Sequence, residues 1–107
     1  MRPADTIASI GADDLRDLET LLAEFLYDTK ARCASLIDRS GRLLLAAGDT
    51  TGFDQTAFAS LAAADFAAGD QIAALVGERE LTSLYHHGER QSMYLADVSG
   101  WAILAAL

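Results

Sequence analysis

Residues 53–80 read FDQTAFASLAAADFAAGDQIAALVGERE, and the stretch carries its own start and stop signals for a long helix. Asp54 can cap the first turn, because a carboxylate there accepts from N–H groups that have no partner within the helix. Gly77 suits the far end, where a left-handed residue commonly closes a helix. Between them Phe58, Leu61, Asp65, Ala68, Ile72 and Leu75 follow a three-four repeat and share one face. Most of these are large and apolar, which predicts that this face lies on a sheet. Beside it runs a second stripe at the same spacing: Ala57, Ser60, Ala64, Ala67, Gln71 and Ala74. Nearly every member of that stripe is small.

Two readings fit the small stripe. Alanine has high helix propensity and can simply face water. Alternatively, small side chains let another backbone approach closely and form a flat contact surface. The second reading is favoured because solvated faces usually carry Lys, Glu and Arg, and none of these occurs between 54 and 76. Asp65 falls on the apolar face, where an unpaired carboxylate would be costly. It is expected at the edge of the core or at an interface, with no histidine or second carboxylate beside it.

Upstream, Leu15, Leu18, Leu21, Leu22, Phe25 and Leu26 recur at helical spacing and predict a first helix over about 13–30. Asp13 and Asp14 favour its start through the helix dipole. Residues 1–12 read as a flexible lead-in to a single domain spanning 1–107. RCASLID (32–38) and RLLLAAG (42–48) flank Arg39-Ser40-Gly41 and read as a β-hairpin. Downstream of Gly77 the period shortens. LTSLYHH, QSMYLADV and GWAILAAL are strand-sized, with turns at His87-Gly88-Glu89 and Ser99-Gly100. The order is therefore helix, two strands, helix, three strands.

The chain of 107 residues has a formal net charge of −8, and its basic residues are scattered, which argues against a nucleic-acid partner. Its apolar runs are too short for membrane insertion. A single cysteine excludes an internal disulfide and suits a cytoplasmic location. At this length, burial through association would add to a modest core.

Motifs for catalysis or cofactor binding are not found. His86 and His87 are neighbours on a predicted strand, so their rings should point to opposite faces and not share a metal. Cys33 reads as a buried small hydrophobe; a nucleophilic pair with His86 lacks any supporting setting. No GxSxG, GxxxxGK[ST] or GxGxxG occurs. Arg39, Arg42, Arg79 and Arg90 flank turns and read as surface charge that can pair with carboxylates. Trp101 and Tyr94 are expected to serve the sheet and its core. No cofactor, no metal and no catalytic residue is expected, so the chain reads as something other than an enzyme.

Three stretches carry a resemblance. ARCASLIDRSGRLLLAAGD, the long helix ending in Leu-Val-Gly-Glu, and LYHHGERQSMYLADVSGWAILAAL together resemble the roadblock/dynein light chain family over about 13–107. The LVGE and HHGE-to-MYL segments look most like a bacterial polarity-regulator branch of it. The resemblance implies an α+β, profilin-like fold with order α-β-β-α-β-β-β and a five-stranded antiparallel sheet. It implies a homodimer formed through the central helix and an edge strand. It also implies a small Ras-like, MglA-type GTPase as partner, whose GTP hydrolysis would be stimulated without an inserted arginine. A non-enzymatic adaptor or scaffold role is the alternative that the family offers. On this reading the dimer or partner surface comprises Ala57, Ser60, Ala64, Ala67, Gln71 and Ala74, with Leu81, Thr82, Ser83, Leu84 and Tyr85 as the edge. The family commonly ends with a further helix, whereas this sequence stops at Leu107 on an apolar strand, so that helix is expected to be missing.

Overall fold

The structure, a computed structural model, describes residues 12–107. The expected lead-in therefore lies outside the described residues except for Ala12, which opens α1 (Ala12–Thr29). There follow β1 (Cys33–Asp38), β2 (Leu43–Gly48), α2 (Gln55–Leu75), β3 (Ser83–His87), β4 (Ser92–Val98) and β5 (Ala102–Ala106). The element order matches the one read from the periodicities. Among the described residues no helix follows β5.

The strands form one antiparallel sheet in the order β2-β1-β5-β4-β3. Ile37 lies opposite Ile103, Leu95 opposite Ala105, and Leu84 opposite Leu95. Paired residues share a face and neighbours alternate, so these side chains all point inward, toward α2. The inner core joins Ile37, Leu95 and Ile103 to Ala59, Ala62, Ala63 and Phe66 of the helix, with Leu43, Leu84 and Met93 around them.

A bulge between Leu36 and Ile37 interrupts the β1–β2 register: Leu36 pairs with Leu45 but Ile37 with Leu43. The extra residue in β2 bends the hairpin as it turns beneath α2. Gly41 sits in that turn with φ +97°, and a Cβ there would lie 3.1 Å from the Ser60 Cα. Both the conformation and the close approach call for glycine.

Asp38 locks the same turn. It is fully buried, and one of its oxygens accepts from Ser40 N at 3.0 Å, Ser40 Oγ at 2.7 Å and Arg42 N at 2.9 Å. The other accepts from Arg42 Nε at 3.0 Å. Burial pushes the Asp38 pKa up, but the hydrogen bonds from Arg42 and Ser40 and the Arg42 charge outweigh it and leave the carboxyl below its usual range.

α1 packs on the outer face of the sheet, mainly against β2 and β1. Leu22 is buried, and Leu15, Leu18, Phe25 and Leu26 are half-buried. Leu21, expected on the same apolar face, stands at its exposed margin.

Candidate functional site

The inner helix decides where the working surface lies, and its orientation corrects the face expected from the sequence. Ala59, Ala62, Ala63, Phe66 and Ala73 are the buried residues of α2. Leu61, Ile72 and Leu75, expected on the sheet, are instead 70%, 63% and 86% exposed. Ala68 is exposed as well, and Phe58 and Asp65 are half-buried at the margin. The buried face is turned roughly a third of a helical turn from the expected one. The reason is volume. The inner sheet face already carries Ile37, Leu95, Ile103 and Leu84, so a close-packed contact is completed by small side chains from the helix. Large residues on both sides would hold the layers apart.

The small stripe falls on the opposite side of the helix. Ala57, Ser60, Ala64, Ala67, Gln71 and Ala74 are all exposed. With Leu61, Ile72 and Leu75 beside them, they form one apolar surface. Because most of it comes from short side chains, a partner backbone can approach closely. An exposed surface of this kind marks interaction sites on soluble proteins.

β3 extends this surface. It is an end strand of the sheet, paired only with β4, so its other backbone edge has no strand beside it among the described residues. The strand begins at Ser83, two residues later than the expected Leu81. Leu81 and Thr82 lead into it: Leu81 N donates to Asp70 Oδ1 at 3.1 Å, and Thr82 O accepts from Asp97 N at 2.9 Å. Leu81 and Leu84 pack against the core, so of the expected edge residues Thr82 and Tyr85 are the exposed ones, and Ser83 is half-buried. α2 lies close over this segment. A Cβ at Gly69 would meet Leu81 Cδ2 at 2.6 Å and Leu84 Cδ1 at 3.2 Å, so glycine is what permits the approach.

Asp65 joins the helix to the edge strand. Its Oδ2 lies 2.5 Å from His86 Nε2, although no histidine was expected near it. The two residues are 21 positions apart, on elements whose mutual orientation no local pattern encodes. Their side chains stay 37% and 47% exposed, so the pair sits in water-accessible surface and is worth little to the isolated fold. His87 points the other way, with Nδ1 3.3 Å from Ser92 Oγ and the ring stacked on Tyr85. The alternation of a strand thus separates the imidazoles, as expected.

The end of α2 is held by a charge cluster that sequence reading missed. Arg39 stacks over the Phe66 ring, 4.8 Å from its centroid. Its Nη1 donates to Asp70 Oδ2 at 3.2 Å and its Nη2 to Asp97 Oδ1. A hollow of about 700 Å³ opens beside this cluster, with Arg79, Glu80 and Ser99 on its rim. Since Arg39, Asp70 and Asp97 engage each other, the cluster ties the first hairpin to α2 and β4. The sequence signal was only an arginine after a strand-ending aspartate, and its two partners lie 31 and 58 residues away.

Cys33 is buried in β1, and β5 and β4 lie between that strand and β3, where His86 stands. Burial pushes its thiol pKa up, against the opposing Arg32 charge, which disfavours the nucleophilic thiolate. Tyr94, expected in the core, is 44% exposed on the outer face. No helix among the described residues is long and apolar enough to cross a membrane.

Residues 17–107 match the model of the Roadblock/LC7 domain. MglB from Myxococcus xanthus is 34% identical, with 78% of this chain and 68% of that one covered and a TM-score of 0.74. A structure of the gliding protein MglB from Thermus thermophilus is 33% identical over 91% of this chain and 73% of that one, at a TM-score of 0.78. A structure described as MglB with a tetrameric arrangement gives the same identity, coverage and TM-score. A comparison with curated protein sequences returns no match. The five-stranded antiparallel sheet, its two flanking helices and these likenesses agree, and the chain belongs to the Roadblock/LC7 family.

Proposed function

We propose that this chain is a homodimeric regulator that binds a small Ras-like GTPase of the MglA type and stimulates its GTP hydrolysis in the cytoplasm. The observation that carries the reading is the surface made by α2 and the free edge of β3. Leu61, Ile72 and Leu75 are presented to solvent beside a flat alanine stripe, and a strand edge continues it. In a chain 33–34% identical to MglB structures, that surface suits a second copy, with the two sheets joined edge to edge through β3. Ala57, Ser60, Ala64, Ala67, Gln71 and Ala74, together with Thr82, Ser83 and Tyr85, are the proposed contact residues. Leu81 and Leu84 support the edge from beneath.

Stimulation would come from arranging the GTPase's own groups. Arg39 and Arg42 are engaged by Asp70, Asp97 and Asp38, so neither is available for insertion into a partner's site without breaking these pairs.

The test is to mix the chain with a GTP-loaded MglA-type GTPase and follow complex formation and phosphate release. A complex with accelerated release is expected. A complex with unchanged release selects the adaptor reading, and no complex overturns both.

A further inference from the structure

Asp65 and His86 meet at the corner where the flank of α2 turns toward the free edge of β3. Leu61 and Ile72 stand one turn and two turns from Asp65 on that flank, and both are largely exposed. A hollow of about 250 Å³ opens beside the carboxylate, and its other lining residues are Phe58, Leu61, Ala62 and Met93. Among the described residues, Asp65 is the one charged group lining that recess.

On one chain alone the arrangement is tolerable, because water reaches both side chains. A second copy seated on α2 and β3 would remove that water. An ionised carboxylate left in an apolar recess beside a neutral imidazole carries an uncompensated charge, which is costly. With His86 protonated, the same Nε2···Oδ2 contact of 2.5 Å becomes a charge-assisted hydrogen bond and the pair is neutral.

The other charged groups around His86 are engaged or turned elsewhere. Asp70, the second charged residue of α2, is held by Arg39 and accepts from Leu81 N. Met93 lies opposite His86 on β4, and the charged residue of that strand, Asp97, is paired with Arg39. His87 alternates to the outer face, where it meets Ser92. In the turn that follows, Arg90 stands beside Tyr85 on that outer face, and Glu89 forms no ion pair or hydrogen bond with His86 among the described residues. Arg79 and Glu80, ahead of β3, line the hollow beside Arg39.

We infer that the Asp65–His86 pair makes self-association proton-dependent: closing the α2–β3 contact takes up a proton at His86 of each copy. The inference rests on the reading of α2 and β3 as the contact with a second copy. Its sign follows from the charge count. Below the range in which an imidazole titrates, the pair is neutral in both states and association is tightest. As pH rises through that range the proton must be drawn from an ever poorer supply, and association weakens. Each copy carries a net charge of −8, so proton uptake also lessens the repulsion between copies.

The experiment mixes whole chains carrying donor or acceptor dyes at the N-terminus. Dilution reads the dissociation constant, and exchange between labelled copies reads the dissociation rate. Association should be roughly tenfold tighter at about pH 6 than at about pH 8. His86→Gln keeps a hydrogen-bond donor for Asp65 but does not titrate, and it should lose this dependence. Asp65→Asn should lose the tightening at low pH as well, because no carboxylate remains to be neutralised. His87→Gln should keep it. Circular dichroism should report the same fold for all three variants, since the substituted side chains are water-accessible. A dimer of equal strength at both pH values, or a His86→Gln variant with the full dependence, would overturn this inference and leave the dimer reading standing. A chain that light scattering finds monomeric at both pH values would overturn the two together.

Discussion

On the buried side of α2 stand Ala59, Ala62, Ala63 and Ala73, with Phe66 the one fully buried large side chain; on the exposed side stand Leu61, Ile72 and Leu75. The contrast inverts the usual expectation that the more hydrophobic face of a helix turns inward. What decides is fit against the layer below. The sheet supplies Ile37, Leu95 and Ile103, and the helix supplies alanines that let these reach its backbone. The larger apolar residues are left for a surface, where most of their area stays exposed within one chain and is available for contacts between chains.

Substitutions on the two faces can break or sharpen this contrast. The largest effect is expected at Phe66. Replacing it with alanine removes the helix's main contribution to the core and the ring under the Arg39 guanidinium. We expect a loss of about 3–5 kcal/mol in chemical denaturation, a large part of the stability of a domain this small. A loss below about 1 kcal/mol would show that this face is not the packed one.

A smaller loss is expected from adding volume to the same face. Ala62→Leu puts three more carbons where α2 meets the sheet and should cost about 1–3 kcal/mol, read as a lower denaturation midpoint. An unchanged or raised midpoint would mean that the alanine face is loosely packed, and size would no longer explain the orientation of α2.

The smallest effect on folding is expected on the other face. Leu61→Arg combined with Ile72→Arg should change the unfolding free energy of an isolated chain by less than about 1 kcal/mol, because both positions already face water. The same double variant should abolish self-association in light scattering, since two guanidinium groups would have to be desolvated in the contact. A variant that remains a dimer would remove α2 from the proposed interface.

Much of the fold was legible in the sequence because the signals are local. The cap at Asp54, made by hydrogen bonds from Thr56 N and Ala57 N, was visible as a carboxylate before a helical run. The hairpin around Gly41 and the alternation of His86 and His87 followed from turn chemistry and strand period. The small stripe of α2 was visible as a pattern at one spacing. The candidate surface was legible only in part. The stripe itself was in view, but Leu61, Ile72 and Leu75 were assigned to the core because a hydrophobic repeat does not say which of two adjacent stripes turns inward.

The amino-acid order by itself determined the succession of helices and strands, the positions of their caps and turns, and the membership of each stripe. These follow from propensity and periodicity, which act within a few residues. Only the tertiary structure decided the rotation of α2 about its axis, the meeting of Asp65 with His86, and the engagement of Arg39 by Asp70 and Asp97. Each depends on the volumes and charges of side chains brought together from distant parts of the chain. Packing selects among orientations that a local pattern leaves equivalent.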